Sequence, residues 1–232
     1  MNKIISFSLW GEDPKYTVGA IKNAELAQQI YPDWKCRFYC ANDVPNSILF
    51  SLEIFDNVEI INVPSSGDWR SMFWRFIPAS EDDVDVVISR DTDSRLNNRE
   101  KEAVEAWLKS DKGFHIMRAH PAHGFPILGG MWGAKKGAVP QMKNLIDSFP
   151  QRNVYGTDYE FFASIGDQIR GNILVHDEFF LQGKNSRSQM LIQFQGSHPV
   201  NFPTKRIGTE YVGKPFNSDD SLCLPDDEKC FL

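Results

Sequence analysis

The sequence predicts a single α/β domain in which a mainly parallel central sheet is covered by helices on both faces. Short runs rich in β-branched and aromatic residues alternate with segments of helical periodicity from Lys3 through Ser89, and this alternation is typical of a parallel sheet with helical crossovers. The 232 residues are 41% hydrophobic, which is enough for a full core. No internal repeat or linker divides the chain. We therefore expect one domain over residues 1–215 and a polar C-terminal tail over residues 216–232.

The first half of the chain alternates four strands with three helices. Pro32 ends the first helix at Tyr31, because the residue before a proline disfavours helical geometry. Asn46 is expected to cap the second helix and Asp68 the third. The predicted strands cover 3–9, 35–40, 58–63 and 84–89, and the predicted helices cover 15–31, 46–55 and 68–79. Parallel sheets bind ligands at the carboxyl ends of their strands, so the exits of the first and fourth strands should share a ligand-binding edge.

The second half continues this pattern less regularly. The glycine-rich apolar stretch 124–137 suits a backbone that closely approaches another group. Pro140 is tolerable in the first turn of one helix, and Thr157 or Asp158 should cap the next. The expected helices cover 99–110, 139–149 and 156–169, one strand begins at Phe114 and is terminated by Pro121, and a late strand over 172–180 carries His176 and Asp177. Beyond Gly183 the pattern weakens.

Composition and charge narrow the functional classes. The formal net charge is −6, whereas nucleic-acid-binding proteins normally show a basic excess or stripe. Basic residues cluster around Arg70 and Arg75 and again at Lys205 and Arg206, which suits a small anionic ligand. No apolar stretch approaches the roughly 18 residues of a membrane-spanning helix, and no signal-peptide pattern opens the chain. We expect a cytoplasmic protein whose four cysteines are reduced thiols.

The acidic cluster after the fourth strand is the most informative motif. Asp91 and Asp93 lie one residue apart, flanked by Arg90 and Arg95. Two carboxylates held close together repel each other and raise one pKa unless a cation lies between them. A hard divalent cation takes such oxygen ligands and leaves positions for water and phosphate oxygens. The alternative is neutralisation by the flanking arginines. A second D-x-D triplet, 83–85, precedes the strand and is expected to be a solvated turn.

Other phosphate-binding motifs are absent. The chain has no G-x-x-x-x-G-K-[ST] and no G-x-G-x-x-G sequence, which argues against P-loop and dinucleotide-binding proteins. Phosphatases with an aspartyl nucleophile also use D-x-D, but there it normally closes the first strand. A metal-dependent phosphohydrolase or nucleotidyltransferase remains an alternative.

Five motifs in a fixed order carry a resemblance. They are ISRDTDSR, RAHPAHGFPILGGMWGAK, GTDYEFF, VHDEFF and FPTKR, at 88–95, 118–135, 156–162, 175–180 and 202–206. Together they resemble nucleotide-sugar glycosyltransferases of the GT-A fold, and more narrowly a poorly characterised family of short glycosyltransferase-like proteins of viruses, bacteria and eukaryotes. The resemblance covers about Lys3 to Val212. It implies transfer of a sugar from a nucleoside diphosphate donor, expected to be a UDP-sugar, to an unknown glycan, lipid or protein acceptor.

The resemblance also implies roles for individual residues. Asp91 and Asp93 would bind Mn²⁺ or Mg²⁺, which bridges the donor phosphates, and His176 would be the third ligand, with His198 as an alternative. A late histidine ligand is similar to that of glycogenin-like and lipopolysaccharide galactosyltransferase-like enzymes, which favours retaining chemistry. Asp158 would lie near the reactive carbon of the sugar. The other donor-binding residues would be Ser8, Leu9 and Trp10 at the base and ribose, Arg75, Lys205 and Arg206 at the phosphates, and Gly129 and Gly130 at the sugar.

Several of these residues have a plainer alternative. Trp10 can equally be a rim or core aromatic, and Asp158 can be an acid stabilised by a helix N-terminus. His120 and His123 can touch the donor or acceptor, or can be ordinary surface histidines. The chain also departs from the family pattern at Ala119, where relatives carry Asp, and at Tyr159, where they usually carry Gln. The first departure supports a competing hypothesis, a nucleotide-sugar-binding relative without catalysis.

Overall fold

The computed structural model describes residues 1–181 and 183–223. Seven strands form one sheet: β1 (Lys3–Leu9), β2 (Lys35–Ala41), β3 (Val58–Val63), β4 (Val86–Ser89), β5 (Phe114–Arg118), β6 (Trp132–Lys135) and β7 (Ile173–Asp177). Their order is β3-β2-β1-β4-β6-β5-β7. Neighbouring strands pair in parallel except at β6, which runs antiparallel to both β4 and β5. The predicted mainly parallel sheet is confirmed.

Helices cover both faces of this sheet, as predicted. They are α1 (Pro14–Ile30), α2 (Asn46–Glu53), a 3₁₀ helix, η1 (Trp69–Ser80), α3 (Asn98–Lys109), α4 (Met142–Ser148), α5 (Thr157–Ser164), α6 (Gly166–Ile169) and α7 (Ser186–Gln195). One apolar cluster packs α1 and α3 against the sheet through alanines of α1 and Trp107. The other packs η1, α4 and α5 through aromatic rings such as Phe76 and Phe161. A third, smaller cluster packs α3 and β5 against the segment after α7 through residues such as Met117, Phe202 and Val212.

The elements of the first half lie close to their predicted positions. Asp68 caps η1, since its side chain accepts a hydrogen bond of 2.8 Å from the Arg70 amide. The predicted Asn46 cap of α2 is wrong. Asn46 is already the first helical residue, and the preceding Pro45 turns the chain, with its carbonyl accepting the first amides of the helix.

The second half differs from the prediction in several elements, and α7 is a helix that was not predicted. The late strand is confirmed as β7, but β6 was not predicted. The expected helix over 156–169 is divided at Ile165 into α5 and α6. The cap of α5 is neither Thr157 nor Asp158 but Gly156, whose φ of +81° lies in the left-handed region that suits glycine. Pro140 lies in the turn before α4 rather than in its first helical turn.

The segment after residue 195 returns towards the strand exits. The amide of Phe216 donates to the carbonyl of Asp93 at 2.8 Å. Asp220 forms ion pairs with Lys22 and with Arg95, the second at 3.0 Å. The described part of the predicted tail, 216–223, therefore contacts the domain near its acidic cluster. The domain boundary at residue 215 stays a prediction, and residues 224–232 lie outside the described part of the chain.

Two further expectations concern the described residues as a whole. Cys36, Cys40 and Cys223 are free thiols, and Cys230 lies outside the described range. Within residues 1–181 and 183–223, no helix is long and apolar enough to cross a membrane. The cytoplasmic location stays a prediction.

Candidate active site

A cavity of about 630 Å³ opens where β1 and β4 end. It lies at the carboxyl edge of the parallel strands, where sheets of this kind bind ligands. Nine of the predicted site residues line it: Ser8, Leu9, Trp10, Arg75, Asp91, Asp93, Gly129, Gly130 and Asp158. His176, Lys205 and Arg206 are not among its lining residues. The fold thus gathers most of the predicted site from segments that are far apart in the sequence.

Arg75 holds the first acid of the cluster. Its guanidinium pairs with the Asp91 carboxylate, and the same Nη1 donates to the carbonyl of Arg90 at 3.1 Å. The backbone amide of Arg75 donates to the hydroxyl of Ser8 at 3.2 Å, which ties η1 to the end of β1. Because Arg75 is only 6% exposed, its charge is fixed on the cavity wall beside Asp91.

Lys15 holds the second acid, a contact that was not predicted from the sequence. Lys15 lies in the first turn of α1, and its Nζ is 2.8 Å from Oδ2 of Asp93. Burial, followed by the nearby charge of Asp91, raises the pKa of Asp93, while Lys15 and Arg75 oppose the rise. The two carboxylates therefore repel each other as expected, and each is balanced by a different cation.

Helix α1 also fixes the backbone of the acidic cluster. The buried amide of Asn23 donates to the carbonyls of Thr92 and Ser94, at 3.1 and 2.8 Å, and accepts from the amide of Leu96 at 3.0 Å. At Gly19 an added Cβ would lie 2.2 Å from the carbonyl oxygen of Thr92, so only glycine permits this contact. A helix thus clamps the backbone that presents the two acids.

The arginines that flank the acids in sequence pair elsewhere. Arg90 is 1% exposed, and its Nε donates to Glu100 at 3.1 Å inside the core. Arg95 pairs with Asp220 on the other side of the loop. The two acids therefore receive their cations from α1 and η1, and not from their sequence neighbours. The alternative of an arginine-neutralised strand end does not describe this geometry.

Asp158 and the two predicted glycines lie on the same wall of the cavity as Arg75 and Asp91. An added Cβ at Gly130 would lie 1.9 Å from Oδ2 of Asp91, and one at Gly129 would lie 2.3 Å from Oδ2 of Asp158 and 2.6 Å from Nη2 of Arg75. The glycines thus let the backbone reach the carboxylates themselves. Burial raises the pKa of Asp158 to about 6; the charge of Asp91 acts in the same direction, whereas Arg75 and the backbone amides of the α5 first turn oppose it.

Trp10 forms the wall beyond the end of β1. An added Cβ at Gly67 would lie 2.0 Å from the Cβ of Trp10, so this glycine lets the loop before η1 pack directly on the indole. The carboxylate of Asp43 accepts from the amides of Gly11 and Gly67 at 3.0 and 2.9 Å. The two loops beside Trp10 are therefore joined through one side chain, which was not predicted.

His176 does not join the acids at the cavity. Its Nδ1 lies 2.8 Å from Nε2 of His115 on the neighbouring strand β5, and its ring lies 5.7 Å from that of Phe202. Burial, followed by the charge of Arg99, lowers the pKa of His176 to about 4, so the ring is neutral at physiological pH. The predicted role as third metal ligand has no support in this geometry.

Two other histidines do line the cavity. His123 accepts from the amide of Ala119 through Nδ1 at 3.1 Å, and His120 stacks on Tyr211 with 4.4 Å between ring centroids. Burial and then the neighbouring His120 lower the pKa of His123 to about 3, and the charge of Asp91 opposes this. His123 is therefore a neutral imidazole within electrostatic reach of Asp91.

Lys205 and Arg206, the two residues predicted to bind the phosphates at this end of the chain, do not line the cavity as His120 and His123 do. Arg206 pairs with Glu178 at 2.8 Å and lies 5.7 Å above the ring of Tyr211, while Lys205 is exposed. Ala119, where the resemblance leads us to expect an acid, is fully buried. Arg206 does not line the cavity but contacts Tyr211, which does.

The residues present fit a divalent cation that is bound partly by protein carboxylates and partly by the phosphates of a substrate. Within residues 1–181 and 183–223, no three His, Cys, Asp or Glu side chains form a cluster able to hold a metal by themselves. A magnesium-like ion needs only one or two carboxylates, completed by water and substrate phosphates. Asp91 and Asp93 offer those two. Together with Asp158 they outnumber the paired cations Arg75 and Lys15, so the site favours an added positive charge.

Comparison with known proteins rests on structure, because no protein-family profile and no curated protein sequence matches this chain. Residues 1–349 of S. aureus TarS superpose with a TM-score of 0.54 at 10% identity, over 77% of this chain and 58% of that TarS chain. A glycosyltransferase that glycosylates the major capsid of PBCV-1 gives 0.52 at 14% identity, over 84% of this chain and 100% of that one. The chain has the GT-A fold.

Two further structural neighbours show the range of proteins with a similar fold. The mannosyltransferase PcManGT of Pyrobaculum calidifontis, solved with GDP-Man and Mn²⁺, gives a TM-score of 0.53 at 10% identity, over 76% of this chain and 55% of that one. 4-Diphosphocytidyl-2C-methyl-D-erythritol synthase of Anaerococcus prevotii gives 0.52 at 12% identity, over 84% and 95%. The match thus spans little more than half the length of the crystallised TarS and PcManGT chains. At these identities the likeness establishes the fold and not the reaction.

Proposed function

We propose that this protein is a metal-dependent glycosyltransferase that moves a sugar from a nucleoside diphosphate donor, a UDP-sugar, to a hydroxyl-bearing acceptor. The observation that carries the proposal is the pairing of Asp91 and Asp93 at the carboxyl edge of the sheet, beside the buried cation of Arg75. GT-A neighbours that act on nucleotide sugars support it, and PcManGT was solved with both a nucleotide sugar and Mn²⁺.

The donor would lie across the two halves of the cavity. Ser8, Leu9 and Trp10 form the wall that suits the base and ribose. Asp91 and Asp93 would hold Mn²⁺ or Mg²⁺, which when bound neutralises charge on the departing nucleoside diphosphate. Arg75 adds a fixed positive charge at the same phosphates, and since it is already buried its orientation needs no reorganisation during reaction. These residues therefore favour departure of the diphosphate.

Asp158 suits a role at the sugar. It is buried beside Arg75 and within electrostatic reach of Asp91, and its raised pKa of about 6 lets it exchange a proton near neutral pH. As a carboxylate it would stabilise positive charge that develops on the reacting sugar carbon, and it can accept the proton of the acceptor hydroxyl. Retention of configuration is part of the proposal, and the anomeric proton signals of the product in NMR test it directly.

Calorimetric titration of UDP into the protein, with Mn²⁺ and with EDTA, tests the donor site. We expect binding that requires the metal and that falls at least about tenfold in Asp91→Asn and Asp93→Asn. Asp83→Asn is the matched control, because Asp83 is the exposed first residue of the D-x-D triplet before β4 and the variant should bind as the wild type does. Failure of UDP and of every other nucleoside diphosphate to bind with any divalent metal would contradict the proposal.

Nucleotidyl transfer is a second candidate, favoured by one observation, the shared fold with the Anaerococcus prevotii cytidylyl enzyme. The two reactions differ in their products. A glycosyltransferase releases the nucleoside diphosphate, whereas a nucleotidyltransferase consumes a triphosphate and releases pyrophosphate. Incubation with UDP-sugars and, separately, with nucleoside triphosphates and sugar phosphates distinguishes them. Binding of a UDP-sugar with neither transfer nor slow hydrolysis would instead identify a non-catalytic relative.

A further inference from the structure

Five aromatic rings form a continuous row along the mouth of the cavity, which we call the aromatic strip: Trp10, Trp69, Tyr155, Tyr159 and Phe125. Successive ring centroids are 6.3, 5.3, 6.4 and 4.3 Å apart. The first three contacts are edge to face, and the last is stacked. The rings come from the β1 exit, the start of η1, the segment before α5, α5 itself and the loop before β6. Five separate segments thus converge on one surface.

The strip leaves much of its ring area in water. Tyr155 is 71% exposed, Phe125 42% and Trp69 38%. A contiguous exposed apolar surface marks a binding site more often than isolated exposed side chains do. The rings are also held in place, because the amide of Trp69 donates to Oδ1 of Asn153 at 3.1 Å. Burial raises the pKa of Tyr159, as does a hydrogen bond with Tyr155, so the phenol stays protonated.

Polar groups beside the rings restrict the ligand chemistry. Arg152 and Glu160 form an exposed ion pair on the same short segment, and Asn153 is exposed between Arg152 and the strip. A lipid chain or an apolar helix laid on the strip would take this ion pair out of water, and the desolvation of two charges is costly. A sugar ring has C–H faces that pack on electron-rich aromatic faces and hydroxyls that hydrogen-bond to a polar rim. The mixture of rings and charges fits a carbohydrate.

The position of the strip connects this ligand to the reaction. Trp10, Trp69, Tyr155 and Tyr159 all line the cavity that holds Asp91, and Tyr159 directly follows Asp158. A ligand on the outer rings therefore presents one end to the cavity. We propose that Trp69, Tyr155, Tyr159 and Phe125 form a carbohydrate subsite that binds the acceptor, which is accordingly a glycan. This inference rests on the proposed glycosyl transfer for the acceptor role, whereas the binding of sugar does not depend on it.

The experiment measures sugar binding without nucleotide. Saturation-transfer NMR and calorimetry on the full chain would use maltotriose, cellotriose and chitotriose as probes of α-linked, β-linked and N-acetylated pyranoses. We expect at least one to bind with a Kd of about 1 mM. Tyr155→Ala should weaken that binding about fivefold or more, while Tyr155→Phe, which keeps the ring, should retain it. Phe50→Ala is the matched control, since Phe50 is 66% exposed on α2, and should leave binding unchanged.

Each outcome decides a different point. If no trisaccharide binds, or if Tyr155→Ala binds as the wild type does, the carbohydrate subsite is wrong. If Tyr155→Ala loses UDP binding rather than sugar binding, the outer rings stack the nucleobase and the inference also fails. If the sugars bind through the strip while no nucleoside diphosphate binds, the subsite stands and the glycosyl-transfer proposal fails. A Phe125→Ala variant repeats the test at the other end of the strip, so misfolding of one variant cannot decide it.

Discussion

Replacement of Asp158 by Asn should stabilise the protein at neutral pH and leave it almost unchanged in acid. Burial raises the pKa of this carboxyl from its usual 3.8 to about 6, so the folded state holds the proton more tightly than the unfolded chain. The destabilisation is small below pH 3.8, grows as the pH rises from 3.8 to about 6, and is complete above that range. At about 1.4 kcal/mol for each pKa unit, the full effect is about 3 kcal/mol.

The neutral amide removes this cost without removing the shape of the side chain. Asp158→Asn should therefore raise the free energy of unfolding by about 3 kcal/mol at pH 8 and by about 1 kcal/mol at pH 4.5. For a chain of this size the first figure corresponds to about 6–12 °C in melting temperature. Thermal unfolding in EDTA at the two pH values measures it, with the exposed Asp83→Asn as control. An equal gain at both pH values would refute the reasoning. Destabilisation at pH 8 would also refute it and would show that the attraction of Arg75 outweighs burial.

Three further predictions follow from contacts in and below the site. Lys15→Met should raise the affinity for Mn²⁺ about fivefold, because Asp93 loses a competing cation; electron paramagnetic resonance titration without nucleotide measures it, and weaker binding would contradict it. Gly130→Ala, whose Cβ would lie 1.9 Å from a carboxylate oxygen of Asp91, should reduce metal-dependent UDP binding at least about tenfold in calorimetry. Arg118→Met should lower the free energy of unfolding in urea by about 3–5 kcal/mol, since it removes the ion-pair partner of the buried carboxylate of Asp177 on β7. A loss below about 1 kcal/mol would contradict this expectation.

The fold could be predicted from the sequence as far as each element carries its own pattern. β1 to β4 are short apolar runs with clear boundaries, and they lie close to their predicted positions. β6 has only four residues, all buried or half-buried, so no alternation marks it, and its insertion between β4 and β5 depends on distant strands. α7 was missed because few of its positions are apolar and buried: only Ser188, Leu191 and Gln195 are buried among its ten residues.

The candidate site likewise has residues that could be placed from local sequence and residues that could not. Asp91 lies two residues beyond the end of a predicted strand, so its place at the ligand edge could be inferred from local sequence. The partnership of Lys15 with Asp93 depends on how α1 packs on the acidic loop, which the glycine and asparagine of that helix determine only once the sheet exists. His176 shows the limit of strand-end reasoning. Successive side chains of a strand point to opposite faces. Here the histidine contacts His115, which stacks on Trp107 of α3, and does not line the cavity.

The connection between β5 and β6 has a consequence for engineering. The two strands are antiparallel neighbours, and the amide of Met117 donates to the carbonyl of Met131 at 2.9 Å where the connection leaves and rejoins the sheet. The connection is also anchored along its length, because Ile127 is fully buried in the core and the carbonyl of Gly129 accepts from the hydroxyl of Ser89 at 2.6 Å. A replacement of this connection therefore has to keep Ile127, Gly129 and Gly130 if the strands are to keep their register. Its exposed residues, such as Phe125, can be varied separately from those that make the chain fold.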